Sequence, residues 1–226
     1  MAFTQVDFVN VLVRLGVPML PSFPTIACPD ESIRFGALNS PGTLGVVCCA
    51  GQRAVLVVIE SPHEQEFTTT GAGVWTAVGP LQRRDNFRTH FQTHMGAHVA
   101  SFGPDDLVVL INAVRYQCSL GRPLNNNPTN RQQRDRIFRA CWSNGADQDF
   151  IDRLCRYYCP GDVIVNACTD DLKWRVEDAI INALPSHRVA VDYQRPKRKT
   201  KRKCMSDVGT YHPSIWRGKP SEVMWR

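Results

Sequence analysis

Three short stretches carry residue types and spacings that can do chemistry. IESPHEQEFTTTGAGVWTAVG, residues 59–79, gathers Glu60, His63, Glu64 and Glu66 around a Ser61-Pro62 turn and then presents Trp75 beyond a glycine pair. Carboxylates beside an imidazole suit general acid–base work; taken alone, the segment reads as a polar loop with its carboxylates in water. VLINAVRYQCSLG, residues 109–121, closes an apolar run with Asn112. An amide there offers one planar edge both a donor and an acceptor, as bidentate base readers do, and a strand-end cap is the plain alternative. RPKRKTKRKCMSDVGTYHPSIWRG, residues 195–218, packs seven basic side chains (Arg195, Lys197, Arg198, Lys199, Lys201, Arg202, Lys203) into nine positions. It then sets His212 against Pro213, with Ser214, Trp216 and Arg217 after it.

The charge pattern bears on what this third stretch meets. The chain has 27 Lys and Arg against 21 Asp and Glu, a formal net charge of +6, and the basic run alone exceeds that surplus. A concentrated positive patch on a nearly neutral body is the footprint of a polyanion partner, because neutralising phosphates releases condensed counterions. A solvated tail has the same charge pattern.

Composition narrows the class. With 226 residues, 43% hydrophobic and 21% charged, the chain is expected to form a single soluble domain over 1–226, acting as a monomer. No apolar run approaches the roughly 20 residues that span a bilayer, so no membrane partner is expected. The N-terminal stretch lacks the pattern of a secretory signal, which makes a cytoplasmic location and reduced thiols the expectation. The nine cysteines are scattered without a Cys-x-x-Cys, and the nearest pair, Cys155 and Cys159, has helical spacing. They read as small apolar fillers, with no metal and no cofactor.

Several elements must position these residues. TQVDFVNVLVRL, 4–15, has helical periodicity and stops at Gly16 and Pro18. Pro- and Gly-rich sequence continues to about residue 45. RAVLVVIE (53–60), DLVVLIN (106–112) and DVIVNA (162–167) are β-branched apolar runs of the kind covered on both faces, and HRVAVDY (187–193) makes a fourth, shorter strand. Helical stretches fall at 83–99, 131–143, 148–158 and 171–183. Alternation of strands and helices predicts an α/β protein, a three-layer α/β/α sandwich around a central, mainly parallel four-stranded sheet. Ligands bind such sheets at the carboxyl ends of the strands, where Glu60, Asn112 and Asn166 fall.

In order and spacing, these stretches resemble the uracil-DNA glycosylase superfamily over residues 53–217. VIESPH, with Glu60, Ser61, Pro62 and His63, is similar to the family's Gly-Gln-Asp-Pro-Tyr-His or Gly-Glu-Ala-Pro-Gly strand end. GVWTAV looks like its Gly-x-x-Phe-Ser-Val, VLIN like its Leu-Leu-Leu-Asn, and His212-Pro213-Ser214 like its His-Pro-Ser loop. The Glu-Ser-Pro-His form, with NAVRYQCSLG and VNACT, resembles the anti-phage branch described as excising glucosylated hydroxymethylcytosine from phage DNA.

The resemblance implies a metal-free, monofunctional DNA glycosylase that flips a modified pyrimidine out of the stack and hydrolyses its N-glycosidic bond, leaving an abasic site. His212 would donate to the leaving base where negative charge develops, Asn112 would read the base edge and Trp75 would stack on its face. Trp216 or Arg217 would wedge the gap. Ser214 and the basic run, an insertion at 194–208, would hold phosphates. Two departures stand out. Ser61 occupies the place of the family's water-activating aspartate, which moves water positioning to Glu60, to Glu64 or to backbone groups, with Glu60 the preferred reading. His63 replaces a tyrosine that crowds the pyrimidine C5 position, which fits a bulkier base. The alternatives are a uracil-DNA glycosylase of base-excision repair, a nucleic-acid-binding protein whose chemistry has lapsed, and a hydrolase of free nucleosides that has no need of the basic run.

Overall fold

The computed structural model describes residues 2–17, 23–38, 52–71, 73–78, 85–95, 99–119, 128–184 and 208–209. Helix α1 (Gln5–Arg14) starts at Thr4, whose hydroxyl accepts from the Asp7 amide while the Asp7 carboxylate accepts from the Thr4 amide at 2.9 Å. This reciprocal cap satisfies two otherwise orphaned donors. The helix buries Phe8, Val11 and Leu12 and stops where Gly16 turns to a φ of 65°. Strand β1 (Glu31–Arg34) follows, then β2 (Ala54–Ile59) and the short strands β3 (Phe67–Thr69) and β4 (Trp75–Ala77). Helix α2 (Asp85–Met95) precedes β5 (Leu107–Asn112). Helix α3 (Pro128–Cys141) bends through Trp142–Ala146, where Gly145 has a φ of 105°, into α4 (Asp147–Tyr157). Strand β6 (Val163–Asn166), helix α5 (Asp170–Ala183) and the two-residue β7 (Val208–Gly209) complete the described order.

The molecule is thus mixed α/β with a mostly parallel sheet. Strand order is β1-β5-β2-β6-β7, with β5, β2, β6 and β7 parallel and β1 antiparallel on the edge. The three long apolar runs of the sequence are the three inner strands, within a residue of their expected ends. Beside the four parallel strands, β1 adds an antiparallel edge that the Pro- and Gly-rich reading of 16–45 did not contain. ESIR gave little sign of it: the strand is short, with charged ends and only Ser32 and Ile33 buried. The expected strand at 187–193 lies outside the described residues. Val208, the last position given to the basic insertion, pairs in β7 beside β6.

Burial follows the alternation of each strand. Leu56, Val58, Val109 and Ile111 join a core cluster with Ile137 and Phe138 of α3, Phe150 and Leu154 of α4 and Val176 of α5. Val55, Val57, Ile59, Val108 and Leu110 join a second cluster with Phe87, Phe91 and Met95 of α2. The chain therefore leaves β2 toward the α2 side and leaves the adjacent β5 toward the α3 and α4 side. Neighbouring parallel strands whose connections depart to opposite faces open a crevice at their carboxyl ends. By that rule the place for a ligand is the edge between Glu60 and Asn112.

Phe138 is fully buried and stacks on Trp142, with ring centroids 5.4 Å apart, at the bend that carries α3 into α4. Phe138→Ala should cost about 3–5 kcal/mol of stability by urea denaturation. A loss below about 1 kcal/mol would mean this packing is not what holds the two helices to the sheet.

Candidate ligand crevice at the carboxyl ends of the strands

The three polar strand ends share one edge but have different surroundings. Asn166 is spent inside the fold: its Nδ2 donates to the Lys173 carbonyl at 3.1 Å and to Glu177 Oε2 at 2.9 Å, and its Oδ1 accepts from the Cys168 amide. Glu60 is buried, with Oε1 3.4 Å from Arg134 Nη1 and Oε2 accepting from the Thr169 amide at 3.1 Å. It ties the end of β2 to α3 and to the first turn of α5, where a carboxylate also meets the positive end of the helix dipole. Asn112 differs from both. It is fully buried, and neither its Nδ2 nor its Oδ1 has a hydrogen-bond partner among the described residues.

Strand alternation also separates Glu60 from Asn112. Asn112 continues the parity of Val108 and Leu110 and pairs in register with Ile59, all on the α2 side. Glu60 continues that of Leu56 and Val58, on the side where Arg134 meets it. The two are neighbours along the edge rather than partners across one pocket wall.

The backbone of Asn112 is clamped from both sides by charge. Its amide donates to Asp30 Oδ1 at 3.3 Å, and its carbonyl accepts from Arg153 Nη2 at 2.8 Å. Arg153 Nη1 donates to both oxygens of Asp30, at 2.7 and 2.8 Å. Its Nε donates to Asp149 Oδ2 at 2.9 Å, one helical turn before it on α4. Asp149 Oδ1 in turn accepts from Arg115 Nη2 at 3.2 Å. Burial raises the Asp30 carboxyl above the ordinary carboxylate range, an effect the Arg153 charge partly offsets. For Arg153 burial acts downward, yet the Asp30 and Asp149 carboxylates outweigh it and hold the guanidinium above its ordinary value.

The loop after β2 accounts for the other sequence-derived candidates. Ser61 is buried, and burial pushes the Cys118 thiol well up, as it does Cys168. His63 is exposed; its Nδ1 accepts from the Gln65 amide at 3.3 Å and its own amide donates to Glu66 Oε1, capping a single 3-10 turn. Glu66 is fully buried, and its Oε2 accepts from the Cys28 thiol. The segment expected as a polar loop is in fact a hairpin, β3 paired with β4, in which Trp75 is half-buried opposite Thr69. The aromatic and β-branched residues of Phe-Thr-Thr and Val-Trp-Thr were the faint signal for it, outweighed by the loop-like glycines at 71 and 73 between them. Cys28, Cys118, Cys141 and Cys168 are buried, as fillers should be, while Cys155 is exposed.

His212, Ser214, Trp216 and Arg217, with Arg195, Lys197, Arg198, Lys199, Lys201, Arg202 and Lys203, lie outside the described residues. Sequence reading missed Arg134, Asp30, Arg153, Asp149 and Arg115. Only the Asp149–Arg153 pair had a local signal, opposite charges at i,i+4 in DQDFIDRL. Among the described residues no group of three or more His, Cys, Asp or Glu is placed to hold a metal ion, and no helix is long and apolar enough to cross a membrane. Compared with models of protein families, with curated proteins and with solved structures, the chain matches none.

Arg153→Leu leaves the buried Asp30 carboxylate without its paired cation and Asp149 with Arg115 alone, and should cost about 3–5 kcal/mol at pH 7. Losing the cation raises the folded-state pKa of Asp30 further above its unfolded value of about 3.9. The penalty is then full above the folded pKa and shrinks as pH falls through it toward the unfolded one. Urea denaturation at pH 7.5 and pH 4.5 should show a smaller gap from wild type at the lower pH. A gap that widens on acidification would contradict the clamp as drawn.

Proposed function

We propose that this chain is a DNA glycosylase of the uracil-DNA glycosylase type, which binds a flipped modified pyrimidine at the crevice between β2 and β5 and hydrolyses its N-glycosidic bond. The observation that carries the reading is the Asn112 side chain: fully buried, at the carboxyl end of a central strand, with donor and acceptor both unmet. Each such group costs about 1–3 kcal/mol when left unpaired, so a planar ligand edge is the natural complement. The two core clusters on alternate side chains of the same strands support the three-layer sandwich expected of that class. Strand β7 runs parallel to β6, and three residues on in sequence comes His212, the proposed donor to the leaving base. Lys and Arg of 195–203 are the proposed phosphate contacts in this DNA-binding role. Glucosylated hydroxymethylcytosine of phage DNA is the proposed base, in a cytoplasmic, monomeric defence enzyme without cofactor.

A nucleic-acid-binding protein without chemistry has an observation of its own. Ser61 stands where a carboxylate base is expected, and Glu60 is engaged by Arg134 and by the Thr169 amide. Base release separates the two readings. DNAs carrying cytosine, uracil, hydroxymethylcytosine or glucosylated hydroxymethylcytosine are incubated with the protein and then cleaved at abasic sites by alkali. Breaks are expected with a modified pyrimidine. Binding without breaks on every substrate would favour the lapsed protein. His212→Ala should lower base release far more than DNA affinity. Asn112→Asp should change selectivity between bases by about 5- to 150-fold, the range of one good bidentate contact. Neutralising Lys197 to Lys203 should weaken DNA binding and flatten its salt dependence.

A further inference from the structure

The unmet buried polar atoms are not scattered. Among the described residues they are Gln52 Oε1, both amide atoms of Asn112, Arg115 Nε and Gln117 Oε1. Gln52 lies before β2, at its amino end; all the others fall within 112–117, the strip that leaves β5 at the crevice. This strip runs beside the end of β2. The Ala113 amide donates to the Ile59 carbonyl at 2.7 Å and the Val114 amide to the Glu60 carbonyl at 3.0 Å. Gln117 follows three residues after this second tie. It is fully buried between the core residues Tyr116 and Cys118, and its one bond, Nε2 to Ser119 Oγ, is long at 3.5 Å.

We infer that Gln117 is a second recognition residue of the crevice, whose Oε1 accepts from an N–H on the same ligand that Asn112 reads. This rests on the glycosylase reading above. A buried glutamine whose acceptor meets no protein group costs stability, where a methionine of nearly the same length fills the space without that cost. Together the two amides present two acceptors and one donor. Their complement is a planar edge with two N–H groups and one acceptor, which an exocyclic amine beside a ring nitrogen supplies and a dioxo edge does not.

Gln117→Met tests this by setting stability against selectivity. The variant removes an unpaired polar group and keeps the packing, so its thermal midpoint should rise or hold. Its preference for DNA carrying a 4-aminopyrimidine over DNA carrying uracil, by base release and by binding of the same duplexes, should fall about tenfold. Gln117→Ala should show the same loss of preference from a less stable protein, which separates recognition from packing. A Met variant that is destabilised with its preference unchanged would overturn the inference, as would one whose preference is unmoved at any stability, the outcome expected if water meets the amide. If the wild-type protein neither binds these duplexes selectively nor releases a base, the glycosylase reading itself fails, and Gln117 with it. That result is distinct from an active wild type with an indifferent Gln117 variant.

Discussion

The guanidinium of Arg153 sits where the helices, the sheet and the crevice meet. One side chain donates to Asp30 before β1, to Asp149 on its own helix and to the carbonyls of Asn112 and Ala113 at the end of β5. A buried guanidinium is costly unless its donors are met, and the rigid fork of an arginine is the geometry that meets several acceptors at once. The consequence is local order. Asn112 is held at its amide by Asp30 and at its carbonyl by Arg153, so the side chain projects from a backbone fixed on both sides. Without this clamp, the last residue of a strand is where pairing frays.

That rigidity gives meaning to the unmet amides. Three polar residues end the parallel strands, and two are absorbed by the fold: Asn166 by α5, Glu60 by Arg134 and the start of α5. If Asn112 were also structural, its atoms would be paired as theirs are, because a native interior leaves few buried polar groups unsatisfied. Among the described residues the exceptions other than Gln52 instead gather on one strip, 112–117, on the edge where the connections of β2 and β5 part to opposite faces. On the proposed reading, stability is given up where the ligand is to bind, the pattern expected when a site is shaped before its ligand arrives.

How much of this was legible in the sequence depended on whether the signal was local. The three inner strands are uniform β-branched runs, buried on both faces, and their ends can be read to within a residue. The helices were legible from periodicity, and the Thr4 cap is a four-residue pattern. Strand β1 and the β3–β4 hairpin were not read, because ESIR owes its place to β5 beside it and the Thr- and Gly-rich hairpin has the composition of a loop. Asn112 could be singled out as a strand end, but not as unmet, since that depends on every neighbour failing to reach it. The Asp30–Arg153 pair joins residues 123 apart, a contact that no spacing reveals.

The side chains of the loop after β2 bear on what chemistry the proposed enzyme has to supply. A glycosidic bond to a base leaves through an oxocarbenium-like state, so the water needs little activation while the departing base needs much stabilisation. Ser61 is no base at neutral pH, and Glu60 has the Arg134 charge 3.4 Å away, which offsets its use as a bare anion beside a developing cation. Both observations point the same way. In such an enzyme the catalytic burden shifts from the end of β2 toward the leaving group, that is, toward donors facing the base. The proposed reading of the base through Asn112 and Gln117 would organise the site around the part of the substrate that departs, not the sugar that stays behind.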